Sequence, residues 1–244
     1  MSSLTKLSYG FLSFNNWPIL ERTLESAKKL KHTQGEVQWV IVDNSTKDFY
    51  VDMENNILNW CNKNNDLKVD TIFNQGNNTG EGAGMNTCFD LCVGENILFF
   101  QDDWECTVYY SFIDLGIKAL DCFKDVFMIQ LSKRPWSTTN NNIKMGSVIM
   151  TDKNKTVCRI QPNGFGNNTF QVRLFKKDRW QKVGYYLEDK DIPLRWSSHR
   201  PGSVSERDYG IRLASLGYCA AKINDGQFIH TIAENARMHF IDDE

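Results

Sequence analysis

The sequence of 244 residues has neither a long apolar run nor a strong excess of charge. No stretch approaches the roughly 18 apolar residues of a membrane-spanning helix, so we expect no integral membrane segment. Residues 1–6 lack the apolar region of a secretory signal peptide, which predicts a cytoplasmic protein. The formal net charge of −2 provides no overall basic field, and we therefore expect no nucleic acid among the partners.

A paired cysteine motif is also missing. The seven cysteines are scattered and include no CxxC pair, which argues against a zinc knuckle or a thioredoxin-like redox site. Their number is odd and most of them lie in apolar segments. This pattern predicts reduced, buried thiols.

The N-terminal part of the sequence alternates between two patterns. Apolar segments typical of strands lie at 6–14, 37–42, 67–73 and 97–101, and helical patterns lie between them. This order within the first roughly 100 residues predicts a mostly parallel α/β sheet flanked by helices. Beyond it we predict helices at 109–123, 177–183 and 205–216, strands at 126–131 and 169–175, a β-hairpin at 144–160, and a loop at 188–204.

The fourth of these strands ends in a group of acidic residues. Asp102 and Asp103 follow the apolar segment directly, and Glu105 comes two residues later. One interpretation is a divalent cation held at the carboxyl edge of the sheet, because Mg²⁺ and Mn²⁺ take oxygen ligands. The other is a polar turn that begins a helix, and for Glu105 we prefer this second role, as a carboxylate of the first helical turn.

The other strands of the predicted parallel sheet also end in polar residues. Asn15 follows the first strand, Asp43 the second, and a glycine-rich loop at 74–84 the third. Parallel sheets bind ligands at the carboxyl ends of their strands. We therefore expect one crevice that is lined by these residues, Asp102 and Asp103.

Six segments, in order, resemble the motifs of one enzyme family. They lie at 13–15, 39–46, 74–86, 99–103 (Phe-Phe-Gln-Asp-Asp), 179–188 (ending Val-Gly-Tyr-Tyr-Leu-Glu) and 205–218 (beginning Ser-Glu-Arg-Asp). Together they resemble a family 2-type glycosyltransferase with the GT-A fold. The resemblance implies a single domain over 1–244, in which about 1–105 bind nucleotide and metal. By the same resemblance, residues from about 106 to 244 supply the acceptor site and catalytic base, and they include a smaller β-rich part on the acceptor side.

The resemblance also implies a metal site that holds Mn²⁺ or Mg²⁺. Asp103 stands at the metal-ligand position of the family's DxD motif, with Asp102 beside it near the ribose or donor sugar. Gln101 departs from the pattern, because an Asp is usual there. His230 stands where related enzymes often have a further metal ligand, although a lone histidine beside apolar residues is more often packed in a core.

Further donor contacts follow from the same resemblance. Asp43 is the expected reader of the nucleobase or ribose, with Phe14 and Asn15 around the base. In the segment 82–86, Gly82 would let the backbone approach the donor and Asn86 matches the family's Asn. Met85 stands where a basic residue is frequent in the family. We therefore expect other residues to contact the diphosphate, with Arg134 as one candidate. The GxGxG spacing of this segment is not the GxGxxG of dinucleotide-binding folds, which argues against NAD.

An inverting transferase needs a general base to take the proton of the acceptor hydroxyl. Glu206 stands at the family's base position, and Asp208 is the competitor two residues later. The predicted function is metal-dependent, inverting transfer of a sugar from a nucleotide-sugar donor, a UDP-sugar being favoured, to a hydroxyl of a glycan acceptor. A sugar-phosphate nucleotidyltransferase and an inactive carbohydrate- or nucleotide-sugar-binding domain remain alternatives.

Overall fold

A computed structural model describes residues 6–74, 76–107, 111–131, 145–152, 155–160, 172–192, 201–223 and 228–230. The strands in this part of the chain are β1 (Leu7–Ser13), β2 (Val37–Asp43), β3 (Lys68–Phe73), β4 (Asn96–Gln101), β5 (Trp104–Cys106), β6 (Val126–Gln130), β7 (Met145–Asp152), β8 (Lys155–Ile160), β9 (Arg173–Lys176), β10 (Cys219–Ile223) and β11 (Phe228–His230). The helices are α1 (Trp17–Ala27), α2 (Tyr50–Lys63), α3 (Glu81–Leu91), α4 (Phe112–Cys122), α5 (Lys177–Val183) and α6 (Pro201–Ser215), with a short 3-10 helix at Asp189–Asp191.

Nine of the described strands form one sheet in the order β3-β2-β1-β4-β9-β6-β10-β8-β7. The strands from β3 to β4 are parallel, as are β6 and β10, whereas β9 runs antiparallel between β4 and β6. Because β9 and β10 join this sheet, the second half of the chain extends the sheet of the first half. The predicted mostly parallel α/β fold is confirmed.

The central strands β1, β2, β4 and β6 are buried because helices cover both faces of the sheet there. Side chains of β1 such as Tyr9 and Phe11 pack in a cluster with apolar residues of α1, α2 and α4, and a second cluster joins Leu12 to α3, α5 and α6. Gly10 allows the second contact, since a Cβ there would lie 2.7 Å from the Cys88 sulfur of α3. Buried strands need this double cover, which explains the continuous apolar runs.

Two local predictions are wrong. Glu105 lies in strand β5, which pairs with β11, and not in the first turn of a helix. Helix α6 begins at Pro201, within the predicted loop, and proline is favoured in the first turn because its missing N–H is not needed there. Within the described residues the cysteines are free thiols, although Cys122 is exposed.

In this part of the chain no helix combines the length and the apolarity that crossing a bilayer requires.

Candidate active site

The ends of the first four strands align at one edge of the sheet. Ser13 at the end of β1 is in register with Asp43 of β2, and Asp43 is in register with Phe73 of β3. On the other side, Leu12 of β1 is in register with Gln101, the last residue of β4. The parallel pairing therefore brings the predicted polar residues to a common edge.

Asn15 joins the ends of β1 and β2. Its backbone has a φ of 56°, in the left-handed region that Asn tolerates better than most residues. Its side-chain oxygen accepts hydrogen bonds from the backbone N–H (2.8 Å) and the hydroxyl (3.2 Å) of Thr46. Its own N–H donates to the Ser45 hydroxyl at 2.8 Å. Asn15 thus fixes the turn that follows Asp43.

Asp43 is buried beneath this turn. One carboxylate oxygen accepts a 2.6 Å hydrogen bond from Ser45, and the described residues offer no partner to Oδ2. Burial raises the pKa of Asp43, partly offset by the bond from Ser45. An unpartnered carboxylate oxygen in the interior is costly, and a bound donor group would relieve the cost.

Asn44, which the sequence analysis did not single out, organises the loop that precedes α3. Its amide group donates to the Asn78 side chain and to the Gly80 carbonyl, each at 3.0 Å. Its oxygen accepts from Thr79 and from the Asn74 side chain. The abundance of Asn and Gly in the loop was visible in the sequence, but the central position of Asn44 depends on strand register.

Asp102 and Asp103 form the turn between β4 and β5. The Asp102 carboxylate accepts a 2.8 Å hydrogen bond from the Phe14 N–H, which joins this turn to the end of β1. Burial and the neighbouring charge of Asp103 raise the pKa of Asp102 to about 8. A cation bound beside these two adjacent carboxyl groups would favour the ionised form of Asp102.

Glu81, the first residue of α3, is a second residue that the sequence analysis missed. Its carboxylate accepts a 2.5 Å hydrogen bond from the amide of Gln101. Burial and the charge of Glu206 raise the pKa of Glu81 to about 7; the charge of Arg173 opposes this and that of Asp103 adds to it. The predicted base and the predicted metal ligand therefore lie within electrostatic range of one carboxylate.

The two candidate bases on α6 have different surroundings. Glu206 is buried, with 8% of its surface exposed. Asp208 is partly exposed and accepts a 2.8 Å hydrogen bond from Arg212, one turn later. The two side chains leave the helix in different directions, as residues two positions apart must.

Gly82 and Asn86 make contacts within the protein. A Cβ on Gly82 would overlap the carbonyl oxygen of Leu187. This contact within the protein is sufficient to explain why position 82 is a glycine. The Asn86 amide both donates to the Tyr186 carbonyl (3.0 Å) and accepts from the Tyr186 N–H (2.8 Å). The contacts predicted between these two residues and the donor stay predictions.

A cavity of about 360 Å³ opens at this edge of the sheet. It is lined by Leu12, Ser13, Phe14, Asn44, Asn78, Gly80, Glu81, Gln101, Asp102 and Asp189. Phe14 is 46% exposed, so its ring is available to a ligand. Asp189, also missed from the sequence, lies against Gly80, where a Cβ would come within 2.5 Å of its carboxylate.

Part of the predicted metal and diphosphate site can be located. Strand β11 brings His230 into register with Trp104, one residue after Asp103, whereas Arg134 lies outside the described residues. Within the described ranges no three His, Cys, Asp or Glu side chains form a metal-binding group. Divalent cations often take only one or two protein carboxylates and complete their shell with substrate phosphates and water, and the carboxylates of this turn suit that arrangement.

The sequence from residue 11 to residue 184 matches the family described as Glycosyl transferase family 2. The chain belongs to this family. The resemblance drawn from its motifs is thereby confirmed, and so, at the level of the family, is the prediction of a glycosyltransferase.

Solved structures of similar fold include those of a mannosyltransferase and of TarS. The mannosyltransferase PcManGT from Pyrobaculum calidifontis, in complex with GDP-Man and Mn²⁺, is 15% identical with a TM-score of 0.65, over 96% of this chain and 59% of that one. TarS from S. aureus, in complex with UDP-GlcNAc, is 14% identical with a TM-score of 0.62, over 93% and 61%. The chain thus spans about three-fifths of the length of these structures. A comparison with curated proteins found no match.

Proposed function

We propose that the protein is a metal-dependent, inverting glycosyltransferase that moves a sugar from a nucleotide-sugar donor to a hydroxyl group of a glycan acceptor. The observation that carries the proposal is the common neighbourhood of Glu206 and Asp103, both within electrostatic range of Glu81 at the carboxyl edge of the sheet. A base and a metal ligand are the two groups that such a transfer needs close together.

The nucleoside part of the donor would bind near the ends of β1 and β2. Phe14 offers an exposed ring for stacking on the base, and Asp43 offers a carboxylate oxygen without a protein partner among the described residues. Asn15 holds the turn between them. The similar structures bind GDP-Man and UDP-GlcNAc, and of the two nucleotides we favour a UDP-sugar for this chain.

The diphosphate would bind at the turn that follows β4. Asp103, assisted by His230, would hold Mn²⁺ or Mg²⁺ there, with Arg134 as a further contact to the diphosphate. When bound, the metal would neutralise the charge that develops on the leaving diphosphate. The PcManGT structure contains Mn²⁺, which supports a divalent cation in this fold.

Glu206 would act on the acceptor. Its carboxylate takes the proton of the acceptor hydroxyl as that oxygen attacks the anomeric carbon, and the bond from this carbon to the diphosphate breaks. A single displacement of this kind inverts the configuration of the anomeric carbon. Asp208 is the less suitable base, because it orients Arg212, which binds the carbonyl oxygens of Val183 and Tyr185 and so has a structural role.

One observation favours a second candidate. Gln101 has replaced the carboxylate that the family usually has at this position, and a domain that binds nucleotide sugars without transferring them would tolerate that loss. No comparable observation favours a sugar-phosphate nucleotidyltransferase.

Donor binding and turnover separate the two candidates. UDP-GlcNAc and GDP-mannose would be added to the protein with and without Mn²⁺, and the shift of the unfolding temperature and release of nucleoside diphosphate would be measured. We expect a Mn²⁺-dependent upward shift, because a ligand of the folded state stabilises it by mass action, and slow release of nucleotide. A shift without turnover, also with candidate acceptors present, would favour the binding domain, and the absence of both would contradict the proposal.

A further inference from the structure

The carboxylate of Glu81 accepts a hydrogen bond at one oxygen and belongs to a residue that lines the cavity. Gln101 donates a hydrogen bond to Oε1 of this carboxylate at 2.5 Å. Both side chains line the cavity at the edge of the sheet. An ionised carboxylate accepts up to four hydrogen bonds, so that Glu81 retains capacity for ligand hydroxyl groups.

The surroundings of Glu81 indicate which part of the donor it would meet. Its charge interacts with Glu206, the proposed base, and with Asp103, the proposed metal ligand. The base must lie near the anomeric carbon and the metal near the diphosphate, and the transferred sugar joins these two points. Glu81 therefore lies beside the place that the transferred sugar would occupy.

A purely structural role does not explain this residue well. A partly buried carboxylate near two other acidic groups is unfavourable, and a neutral Gln would make the same hydrogen bond with Gln101. A positive charge that interacts with Glu81 is that of the buried Arg173 of β9, whose guanidinium contacts the sulfur of Met85 (3.4 Å) and the hydroxyl of Tyr186 (3.2 Å). The charge of Arg173 favours the ionised form of Glu81 and so lowers its pKa.

We propose that Glu81 binds hydroxyl groups of the transferred sugar and that Gln101 holds its carboxylate in position. This inference rests on the proposed transferase function. It also gives an account of Gln101: the carboxylate that the sequence lacks at position 101 is supplied from α3, one hydrogen bond away. On this view the departure from the family pattern relocates a negative charge within the site and does not remove it.

The substitution Glu81→Gln tests the proposal because it keeps the shape and an acceptor oxygen for Gln101. Calorimetric titration with Mn²⁺ present would compare two probes, the nucleotide sugar that binds the wild type and the matching nucleoside diphosphate. We expect the dissociation constant of the nucleotide sugar to rise about tenfold or more, since hydrogen bonds to charged groups are strong. The dissociation constant of the nucleoside diphosphate should change less than twofold or decrease, because the variant removes a negative charge near the phosphates.

Two further variants complete the experiment. Glu95→Gln removes an exposed carboxylate just before the opposite end of β4 and should bind both probes like the wild type. The exchange Glu81→Gln with Gln101→Glu reverses the two groups across the same hydrogen bond. It should restore nucleotide-sugar affinity to within about threefold of the wild type, as expected for residues that act as one unit.

The outcomes separate the inference from the proposed function. Unchanged nucleotide-sugar affinity in Glu81→Gln, equal loss for both probes, or no recovery in the exchange variant would each overturn the role of Glu81 while leaving the transferase proposal standing. Failure of the wild type to bind any nucleotide sugar would overturn both.

Discussion

Asp208 accepts a 2.8 Å hydrogen bond from Nε of Arg212, one turn later on α6. The same guanidinium donates to the carbonyl oxygens of Val183 (2.8 Å) and Tyr185 (2.7 Å), at the end of α5 and just beyond it. Asp208 therefore orients Arg212, whose hydrogen bonds connect α6 to the end of α5 and the segment after it. Glu206, which is buried, remains the proposed base.

The two acids of α6 should respond differently to neutralisation. We expect Glu206→Gln to retain donor affinity and to lose transfer by about 10²- to 10⁴-fold, the usual contribution of a general base. Asp208→Asn should keep transfer within about tenfold and lose about 1 kcal/mol of stability, because its ion pair is partly exposed. Transfer rates and unfolding midpoints of both variants provide the test. The opposite result, with transfer lost only in Asp208→Asn, would move the base to Asp208.

The turn after β4 should control metal-dependent binding. Asp103→Ala removes the proposed metal ligand, and we expect it to abolish the increase in donor affinity that Mn²⁺ produces in the wild type. Glu105→Ala is the matched control, since Glu105 lies two residues later in β5, and it should retain the metal effect. Titration of the donor with and without Mn²⁺ measures this effect. If Asp103→Ala still binds the donor more tightly with Mn²⁺, Asp103 is not a metal ligand.

Glu81 should make the ligand-free protein less stable as pH rises. Its pKa is raised to about 7 in the folded protein against 4.5 for an unperturbed Glu, so that the folded state binds more protons between these values. The free energy of unfolding should therefore fall over this range in the wild type, relative to Glu81→Gln. At pH 8 we expect the variant to be more stable by roughly 1 to 3 kcal/mol. Urea unfolding at several pH values would show whether the two curves converge at low pH.

Higher stability of Glu81→Gln at pH 8, together with weaker binding of the nucleotide sugar, would show that Glu81 serves function at a cost in stability. Glu95→Gln should follow the wild-type curve throughout. Parallel curves for the wild type and Glu81→Gln across this range would show that Glu81 titrates as an ordinary exposed carboxylate.

Residues beside the strand ends were predictable because local pattern determines them. Asp43 and Asp102 follow apolar runs that only a sheet buried on both faces explains, and parallel pairing then brings such ends together. Glu81 and Asn44 could not be found in this way. The position of Glu81 beside Gln101 depends on how α3 packs after the glycine-rich loop. The role of Asn44 depends on contacts with residues about 30 positions further along the chain.

The errors have physical causes of the same kind. The strand that contains Glu105 exists because β11, more than 120 residues later, pairs with it, and the local sequence carries no sign of that partner. The early start of α6 was missed because proline occurs in loops as well as in the first turn of helices. Arrangements set by distant strands thus escape prediction from local pattern.

Asn15 offers a test of how the nucleoside end of the site is held. Its side chain accepts two hydrogen bonds from Thr46, and its backbone has a positive φ. Asn15→Gly keeps the backbone conformation and loses the side-chain bonds, at an expected cost of about 1 to 2 kcal/mol. Asn15→Ala should cost about 1 kcal/mol more, because a Cβ disfavours the left-handed region.

Both variants should bind the donor less tightly than the wild type, since the turn that positions Asp43 and Asn44 is loosened. The two effects can be separated by urea unfolding and by titration with the nucleoside diphosphate alone, which lacks the sugar that Glu81 would contact. Glycine and alanine variants of equal stability would show that backbone conformation contributes nothing here. Loss of stability without any loss of nucleotide affinity would show that Asn15 supports the fold but not the nucleoside site.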